Sequence, residues 1–231
     1  MLDRAMDHDI AAPWLALPTD RRRLTVAQMC KRCRSLPPPG TVAAAAVADP
    51  LPAALLVPVI DHHGEAAVIL TKRPSTMRRH GGDWVFPGGR VDERDASSVA
   101  AARREAYEEL GVAPDRLTVV GQLDSHGPIM TGFVIDVFVG TVAGGELRPD
   151  PDEVADVAVV PLSALMAEGA YYVDTVMPDH DPGPTVGRLL DDGEHARELR
   201  FFTFRDGELA WGTQANIIYQ LLAHLTSPRT P

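Results

Sequence analysis

The chain has 231 residues, 45% of them hydrophobic and 23% charged, with a formal net charge of -10 at pH 7. This length allows a substantial core, the two cysteines are too few for a disulfide framework, and the negative charge argues against a broad nucleic-acid-binding surface. No apolar run approaches the roughly 18 residues that cross a bilayer, and no secretion signal is evident, so we expect a soluble cytoplasmic protein that binds neither nucleic acid nor membrane.

The first predicted element lies in an N-terminal extension over residues 1–48. Thr19 or Asp20 is the expected cap of a short helix over residues 20–36. The proline run at 37–39 would end this helix, because proline cannot continue it. The extension is therefore expected to be a separate, partly helical appendage.

Residues 49–228 are predicted to form one domain. Apolar, β-branched runs indicate strands, and helical spacing of apolar residues indicates helices. In chain order we predict a hairpin of strands at 53–60 and 66–73, a strand at 84–86, a helix from about 97 to 110, strands at 117–123, 133–142 and 154–160, a short helix at 162–168, a loop at 174–194, a hairpin at 199–211 and a last helix at 214–225. Because the helices do not alternate regularly with the strands, the pattern favours an α+β fold with a mixed sheet over a doubly wound parallel fold.

A group of carboxylates on the predicted helix before Gly111 is the main sign of chemistry. Glu105, Glu108 and Glu109 lie at offsets of zero, three and four residues, which puts them on one helix face. Like charges so placed repel one another, and a divalent cation such as Mg²⁺ or Mn²⁺ would compensate them. A solvated acidic face would explain the glutamates alone, but their fixed spacing with Arg104 and Gly111 favours a metal site.

The segment from Gly89 to Val112 resembles the signature of the Nudix hydrolases, in which a glycine, five residues, a glutamate and seven residues precede Arg-Glu-apolar-x-Glu-Glu-x-Gly-apolar. Residues 104–112 fit the second half, whereas Asp95 stands where glutamate is usual and eight residues separate it from Arg104. The resemblance implies an α/β/α sandwich around a mixed sheet, a divalent metal on the signature helix, and cleavage of a nucleoside diphosphate linked to another group.

A second resemblance covers residues 70–89, which are similar to the coenzyme A diphosphatase branch of the Nudix hydrolases. Its pattern is Leu-Leu-Thr-x-Arg-Ser, three residues, Arg, three residues, Gly, three residues, Phe-Pro-Gly-Gly. The positions in register are Thr71, Arg73, Arg78, Gly82 and Phe86 to Gly89, while Pro74 stands where serine is usual. The sequence at 210–215, Ala-Trp-Gly-Thr-Gln-Ala, is also similar to a Trp-Gly-x-Thr-Ala sequence that opens the last helix of that branch.

This second resemblance implies a substrate. The expected reaction is metal-dependent hydrolysis of the diphosphate linkage of coenzyme A or acyl-coenzyme A, giving 3′,5′-ADP and 4′-phosphopantetheine or its acyl form. The partner of the chain would then be a small nucleotide molecule.

Positive charge is concentrated in the same segment, since Lys72 to His80 carries five basic or potentially basic residues. Arginine offers a planar fork to phosphate oxygens, so this cluster predicts anion binding, although a solvated basic loop would look the same. The residues expected to bind substrate are Arg73, Arg78, Arg79, His80, Gly88 and Gly89, the glycines because they let backbone approach a ligand closely.

Within the Nudix resemblance, each acidic residue has an expected role. Glu105 and Glu109 would be direct metal ligands, and Glu108 a further ligand or the group that activates water. Arg104 would orient a signature carboxylate. Glu153, which lies outside the signature just before a predicted strand, is the candidate for an external general base.

Other functions remain open. A Nudix diphosphatase could act on ADP-ribose, NADH or another nucleoside diphosphate derivative. A Nudix-like module could instead sense a nucleotide and regulate a partner, but that reading would want degraded metal ligands or an added DNA-binding domain, and neither is evident in the sequence. The resemblance also leaves a homodimer open.

Overall fold

The computed structural model describes residues 12–40, 50–77, 80–127, 132–176 and 197–227. The strands are β1 (Leu51–His62), β2 (Glu65–Lys72), β3 (Trp84–Val85), β4 (Gly88–Arg90), β5 (Leu117–His126), β6 (Phe133–Val142), β7 (Asp156–Pro161), β8 (Tyr171–Val176), β9 (Arg197–Phe204) and β10 (Glu208–Trp211). The α-helices are α1 (Thr19–Arg22), α2 (Val26–Cys33), α3 (Ser98–Leu110), α4 (Leu162–Leu165) and α5 (Thr213–Thr226).

The larger sheet is mixed. Its strand order is β3-β2-β1-β6-β5, with β4 paired to β1 and β7 paired to β2. β1 and β6 run parallel, from Leu51 opposite Phe133 to Val59 opposite Thr141, whereas the other pairs are antiparallel. The predicted hairpin of β1 and β2 is present, and its turn residues His63 and Gly64 both have positive φ, as tight hairpin turns require.

Alternate side chains of β1 pack on opposite faces of this sheet. Val57 and Val59 contribute to a core that also contains residues of α2 and α5, whereas Ala54 and Leu56 pack with the apolar side of α3. The sheet thus lies between α3 on one face and α2 with α5 on the other. The predicted α+β class and α/β/α sandwich are confirmed.

A smaller antiparallel sheet has the order β10-β9-β8. The predicted hairpin of β9 and β10 turns at Asp206-Gly207, where both residues have positive φ. β8 was not predicted and takes up residues 174–176, the start of the predicted 174–194 loop; the rest of that loop lies outside the described residues. β8 pairs with β9 from Tyr171 opposite Phe202 onwards.

The prediction of a single helix over residues 20–36 is wrong, because the helix is interrupted between α1 and α2. Thr25 starts a new helix: its side chain accepts a hydrogen bond from the Gln28 amide, and the Gln28 side chain accepts one from the Thr25 amide. This reciprocal capping satisfies amides that a continuous helix would have bonded otherwise, and it holds Thr25 in an extended conformation.

The N-terminal segment contributes to the main core rather than lying loosely on it. Trp14, Met29 and Cys33 are fully or almost fully buried, and the Trp14 ring lies 5.4 to 6.0 Å from the rings of Tyr171, Phe202 and Tyr219. Burial raises the pKa of the Cys33 thiol to about 12. The domain boundary at residue 48 stays a prediction. In the described part of the chain, no helix is long and apolar enough to cross a membrane.

Candidate active site

The signature helix α3 begins and ends as its sequence predicts. The Ser97 side chain caps it by accepting a hydrogen bond from the Ala100 amide (3.3 Å), and Gly111 ends it in the left-handed conformation with φ 65. Ala102, Ala106 and Leu110 are fully buried on the side that packs against the sheet. The helical period then brings the glutamates to the margin of that contact, beside β4.

Arg104 joins three carboxylates. Its Nη1 donates to Glu105 Oε1 and to Glu108 Oε2, each at 2.8 Å, while Nε and Nη2 donate to the two oxygens of Asp95 at 3.1 and 2.9 Å. The hydrogen bonds from Arg104 lower the pKa of Asp95 below its usual value. Asp95 therefore binds both Nε and Nη2 of Arg104, and the charge of Arg104 partly neutralises the acidic face of the helix.

Glu109 is the most deeply buried of the signature glutamates, at 7% exposure. Its Oε1 accepts a hydrogen bond from the Gly88 amide (3.2 Å), and its Oε2 accepts one from Thr71 Oγ1 (3.4 Å). Burial raises the pKa of Glu109 to about 7, and the bond from Gly88 opposes that rise. The site thus contains one carboxylate that is costly to ionise without a nearby positive charge.

The chain bends at Pro87 and enters β4 at Gly88 and Gly89, a segment that we call the glycine turn; the lack of a side chain at Gly89 leaves room for the Glu105 carboxylate. A Cβ on Gly89 would lie 2.5 Å from Glu105 Oε1, and one on Gly88 would lie 2.3 Å from the carbonyl oxygen of Ala54. Burial also raises the pKa of Glu105. The two glycines thus lie against groups of the protein itself, a backbone carbonyl and a carboxylate, and their contact with substrate stays a prediction.

The loop that carries Glu153 is tied to the end of α3. The Asp150 amide donates to the Glu109 carbonyl (3.1 Å), and the Ala155 amide donates to the Lys72 carbonyl (2.8 Å). The exposed charge of Glu153 contributes to raising the pKa values of Glu105 and Glu109. The structure therefore brings this residue, which lies far from the signature in sequence, to the acidic face.

Arg73 is a predicted substrate-binding residue whose charge acts on the glutamates of α3. Its positive charge lowers the pKa of Glu109, against the larger effect of burial. Its buried Nε has no hydrogen-bond partner within the described ranges. The Arg73 amide donates a hydrogen bond to the Asp83 carbonyl (2.9 Å), and the Gly82 amide donates one to the Arg73 carbonyl (3.0 Å). Arg78 and Arg79 lie outside the described residues.

His80 makes a different set of contacts. Its Nδ1 lies 3.0 Å from Asp83 Oδ2, and its backbone has a positive φ of 56. Asp83 is buried and also accepts a hydrogen bond from Trp211 Nε1 (3.4 Å). Within the part of the chain that the structure covers, His80 makes no hydrogen bond to the carboxylates of α3.

The carboxylate oxygens of the site suit a hard divalent cation, although they do not form a complete coordination shell by themselves. Among the described residues, no three His, Cys, Asp or Glu side chains are close enough to form a metal cage on their own. Glu105 and Glu109 nevertheless offer carboxylate oxygens beside the glycine turn, and the acidic neighbours of each glutamate raise its pKa. Such oxygens suit Mg²⁺ or Mn²⁺, which commonly complete their coordination with water and substrate oxygens.

Three contacts of the site were not predicted from the sequence. Thr71 binds Glu109, Asp83 binds His80, and the Gln214 side chain accepts a hydrogen bond from the Phe86 amide (3.0 Å). Thr71 and Gln214 both lie in segments that the family resemblance singled out. That resemblance was the available signal for them, since contacts between residues so far apart in sequence leave no local pattern.

Comparison with known proteins places these features in a family. Residues 49–180 match the NUDIX domain family. The chain is 41% identical over 121 residues to an uncharacterized Nudix hydrolase NudL of Cronobacter sakazakii, a match that covers 52% of this chain and 62%, less than two thirds, of that protein. It is 31% identical over 175 residues to the NudL of Pectobacterium atrosepticum, covering 75% of this chain and 82% of that protein. A MutT/nudix family protein from Enterococcus faecalis aligns over 87% of this chain and 70% of its own, with 17% identity and a TM-score of 0.47.

Proposed function

The chain belongs to the Nudix hydrolase family, and we propose that it hydrolyses the diphosphate linkage of coenzyme A or an acyl-coenzyme A. The products would be 3′,5′-ADP and 4′-phosphopantetheine or its acyl form. The observation that carries this proposal is the position of Arg73: a guanidinium with an unpartnered buried Nε acts electrostatically on the buried carboxylate Glu109. An anion-binding group and metal-binding carboxylates thereby share one site, and the anion-binding group belongs to the segment that resembles the coenzyme A pattern.

Glu105 and Glu109 are the proposed metal ligands, with Glu108 as a further one. Glu109 is held by the Gly88 amide and by Thr71, and Glu105 lies against Gly89. A bound Mg²⁺ or Mn²⁺ would withdraw charge from the diphosphate oxygens during attack by water. Arg104 is a positioning residue in this scheme, because its hydrogen bonds fix Glu105, Glu108 and Asp95 relative to one another.

The hydrolytic step also needs a group that accepts a proton from water. Glu153 is exposed to solvent, and its negative charge raises the pKa values of both Glu105 and Glu109. Glu108 is half-exposed, but one of its oxygens already accepts a hydrogen bond from Arg104. We therefore propose that Glu153 accepts the proton from water, with Glu108 as the alternative. If Glu153 is the base, Glu153→Gln will lower kcat much more than Glu108→Gln, with little change in KM in either variant.

Arg73 supplies the proposed contact to a phosphate oxygen. Its Nε lacks a partner in the described residues, and a phosphate oxygen would provide one without removing another contact. Arg78, Arg79 and His80 are proposed to extend this basic surface to the further phosphate of coenzyme A. For His80, the bond to Asp83 fixes the ring and leaves Nε2 as the atom that could meet the ligand.

A substrate panel tests the proposal. The purified chain is assayed with Mg²⁺ and, separately, Mn²⁺ against coenzyme A, acetyl-coenzyme A, ADP-ribose, NADH and diadenosine polyphosphates. We expect the highest kcat/KM with one of the two coenzyme A substrates. Turnover confined to ADP-ribose would reject the coenzyme A assignment, and tight nucleotide binding without turnover would favour a sensor.

A pair of glutamate variants tests whether the helix carries the reaction. Glu109→Gln should reduce kcat by about a hundredfold or more, because it removes a charged ligand, while the fold is retained. Glu168→Gln changes an exposed glutamate in the turn after α4 and serves as the matched control. Full activity of the Glu109 variant at saturating Mg²⁺ would remove α3 from the mechanism.

A further inference from the structure

The first turn of α5 contacts the segment that leads into the glycine turn. The backbone amide of Phe86 donates a hydrogen bond to Gln214 Oε1 (3.0 Å), across 128 residues of sequence. Phe86 is 1% exposed, so its amide has little access to water. A buried amide without an acceptor is costly, which makes the Gln214 side chain a specific requirement of this backbone position.

Two residues beyond Phe86, the same backbone meets the proposed metal ligand. The Pro87 carbonyl accepts a hydrogen bond from the Leu56 amide (3.0 Å), and the Gly88 amide donates to Glu109 Oε1 (3.2 Å). Three consecutive residues are thus fixed by α5, β1 and α3 in turn. A shift at Phe86 would be passed to Gly88, because only one proline, whose φ is locked by its ring, lies between them.

The other end of the segment is held by Trp211, the last residue of β10. Trp211 Nε1 donates to Asp83 Oδ1 (3.4 Å), and Asp83 begins the short stretch that continues through β3 to Phe86. The C-terminal sequence from Trp211 to Gln214 therefore binds both ends of the stretch from Asp83 to Phe86. Gln214 is the contact nearer to the glutamates.

We propose that Gln214 is a positioning residue for hydrolysis. By accepting the hydrogen bond from the Phe86 amide, it holds the glycine turn where the Gly88 amide meets Glu109. The effect on catalysis is indirect, since Gln214 touches neither the carboxylates nor the substrate. This inference rests on the proposed role of Glu109 in the reaction, but the placement of the turn can be measured without any activity.

The same helix offers a matched control. Gln220 also lies on α5 and also uses its side-chain amide in a long-range hydrogen bond, but its partner is Asp124 on β5. Replacing either glutamine by leucine keeps a side chain of similar length and removes the polar contact. If the substitutions weaken the packing of α5 as a whole, both variants should lose activity. If the lost hydrogen bond displaces the glycine turn, only Gln214→Leu should lose activity.

Kinetics form the first arm of the test. The variants are Gln214→Leu, Gln214→Glu, which restores an acceptor oxygen, and Gln220→Leu, all assayed on the best substrate of the panel. We expect Gln214→Leu to lower kcat roughly tenfold, the equivalent of one lost hydrogen bond, with KM changed less than about twofold. Gln214→Glu should recover most of kcat, and Gln220→Leu should keep it. Should the leucine variant fail to fold, Gln214→Met provides a second side chain without an acceptor.

Amide hydrogen exchange of the metal-free protein forms the second arm. Exchange at Phe86 and Gly88 should be faster in Gln214→Leu and unchanged in Gln214→Glu and Gln220→Leu. Equal exchange in all variants, a kcat loss shared by Gln220→Leu, or no recovery with glutamate would overturn the inference. If the wild-type protein hydrolyses nothing in the panel, the proposed function fails, while the exchange data still decide whether Gln214 holds the turn.

Discussion

The guanidinium of Arg104 and the carboxylate of Asp95 form a two-pronged ion pair, with N–O distances of 3.1 and 2.9 Å. Asp95 is held in turn by the Asp92 amide, which donates to Oδ2 (2.9 Å). The shorter acid in the signature position thus still reaches the arginine. Because both oxygens of Asp95 bind Nε and Nη2, the remaining nitrogen Nη1 is free to join Glu105 and Glu108.

Asp95→Asn tests this ion pair. The asparagine keeps the shape but loses the charge, so we expect the free energy of unfolding to fall by about 1–3 kcal/mol and kcat to fall roughly tenfold as the carboxylates shift. Urea denaturation and steady-state kinetics measure the two effects. Asp92→Asn is the control: its side chain pairs at 3.5 Å with the highly exposed Arg94, a type of contact worth under about 1 kcal/mol. Equal effects in both variants would contradict the assigned role of Asp95.

Gly89→Ala tests the space beside Glu105. The added Cβ would lie 2.5 Å from Glu105 Oε1, so the carboxylate must move. We expect kcat to fall by roughly ten- to a hundredfold, since displacement of a catalytic group by about 1 Å costs that much, with only a small change in stability. Gly144→Ala, where nothing lies within 4 Å of the new Cβ, should leave kcat unchanged. Wild-type kinetics for the Gly89 variant would show that Glu105 does not need its observed position.

Trp14→Ala tests the contribution of the N-terminal segment to the core. Trp14 is fully buried among three aromatic rings, and removing such a side chain costs about 3–5 kcal/mol. The neighbouring Leu15 is 41% exposed, so Leu15→Ala should cost less than about 1 kcal/mol. Thermal and urea denaturation of the two variants give the comparison. A small loss for Trp14→Ala would mean that residues 1–48 behave as the separate appendage expected from sequence.

His126 gives the stability a pH dependence. Burial lowers the pKa of this histidine below its usual value of 6.5, although Gln220 and Asp124 partly oppose the shift. The unfolded chain then binds the proton more tightly than the native protein, so the contribution of His126 to stability is complete above pH 6.5 and is lost as the pH falls below it. The difference in unfolding free energy between the wild type and His126→Asn should therefore be constant at high pH and shift against the wild type below about pH 6.5. A constant difference between about pH 5 and 8 would contradict this.

Where signals are local, the sequence was a sufficient guide. Ser97 and Gly111 bound α3, and the period of the helix puts Glu105 and Glu109 on one face, so the acidic half of the site could be predicted without coordinates. The hairpin turn at Asp206-Gly207 was likewise predictable, because few residues adopt its backbone conformation.

Where contacts are long-range or two local signals compete, prediction failed. The cap at Thr19 or Asp20 and the proline run at 37–39 suggested one helix over residues 20–36, but the reciprocal cap of Thr25 and Gln28 splits it. β8 was missed for a different reason: its run of aromatic and β-branched residues is itself a strand signal, and the strand pairs with β9. The bond from Phe86 to Gln214 depends on the docking of α5, which no local propensity encodes.

The aromatic cluster around Trp14 also sets an order of events during synthesis. Trp14 is synthesised before its ring partners Tyr171, Phe202 and Tyr219, which all follow it by more than 150 residues. Chains begin to fold during synthesis, but the indole of Trp14 has no aromatic site to dock against until the segments that carry these three rings have been made.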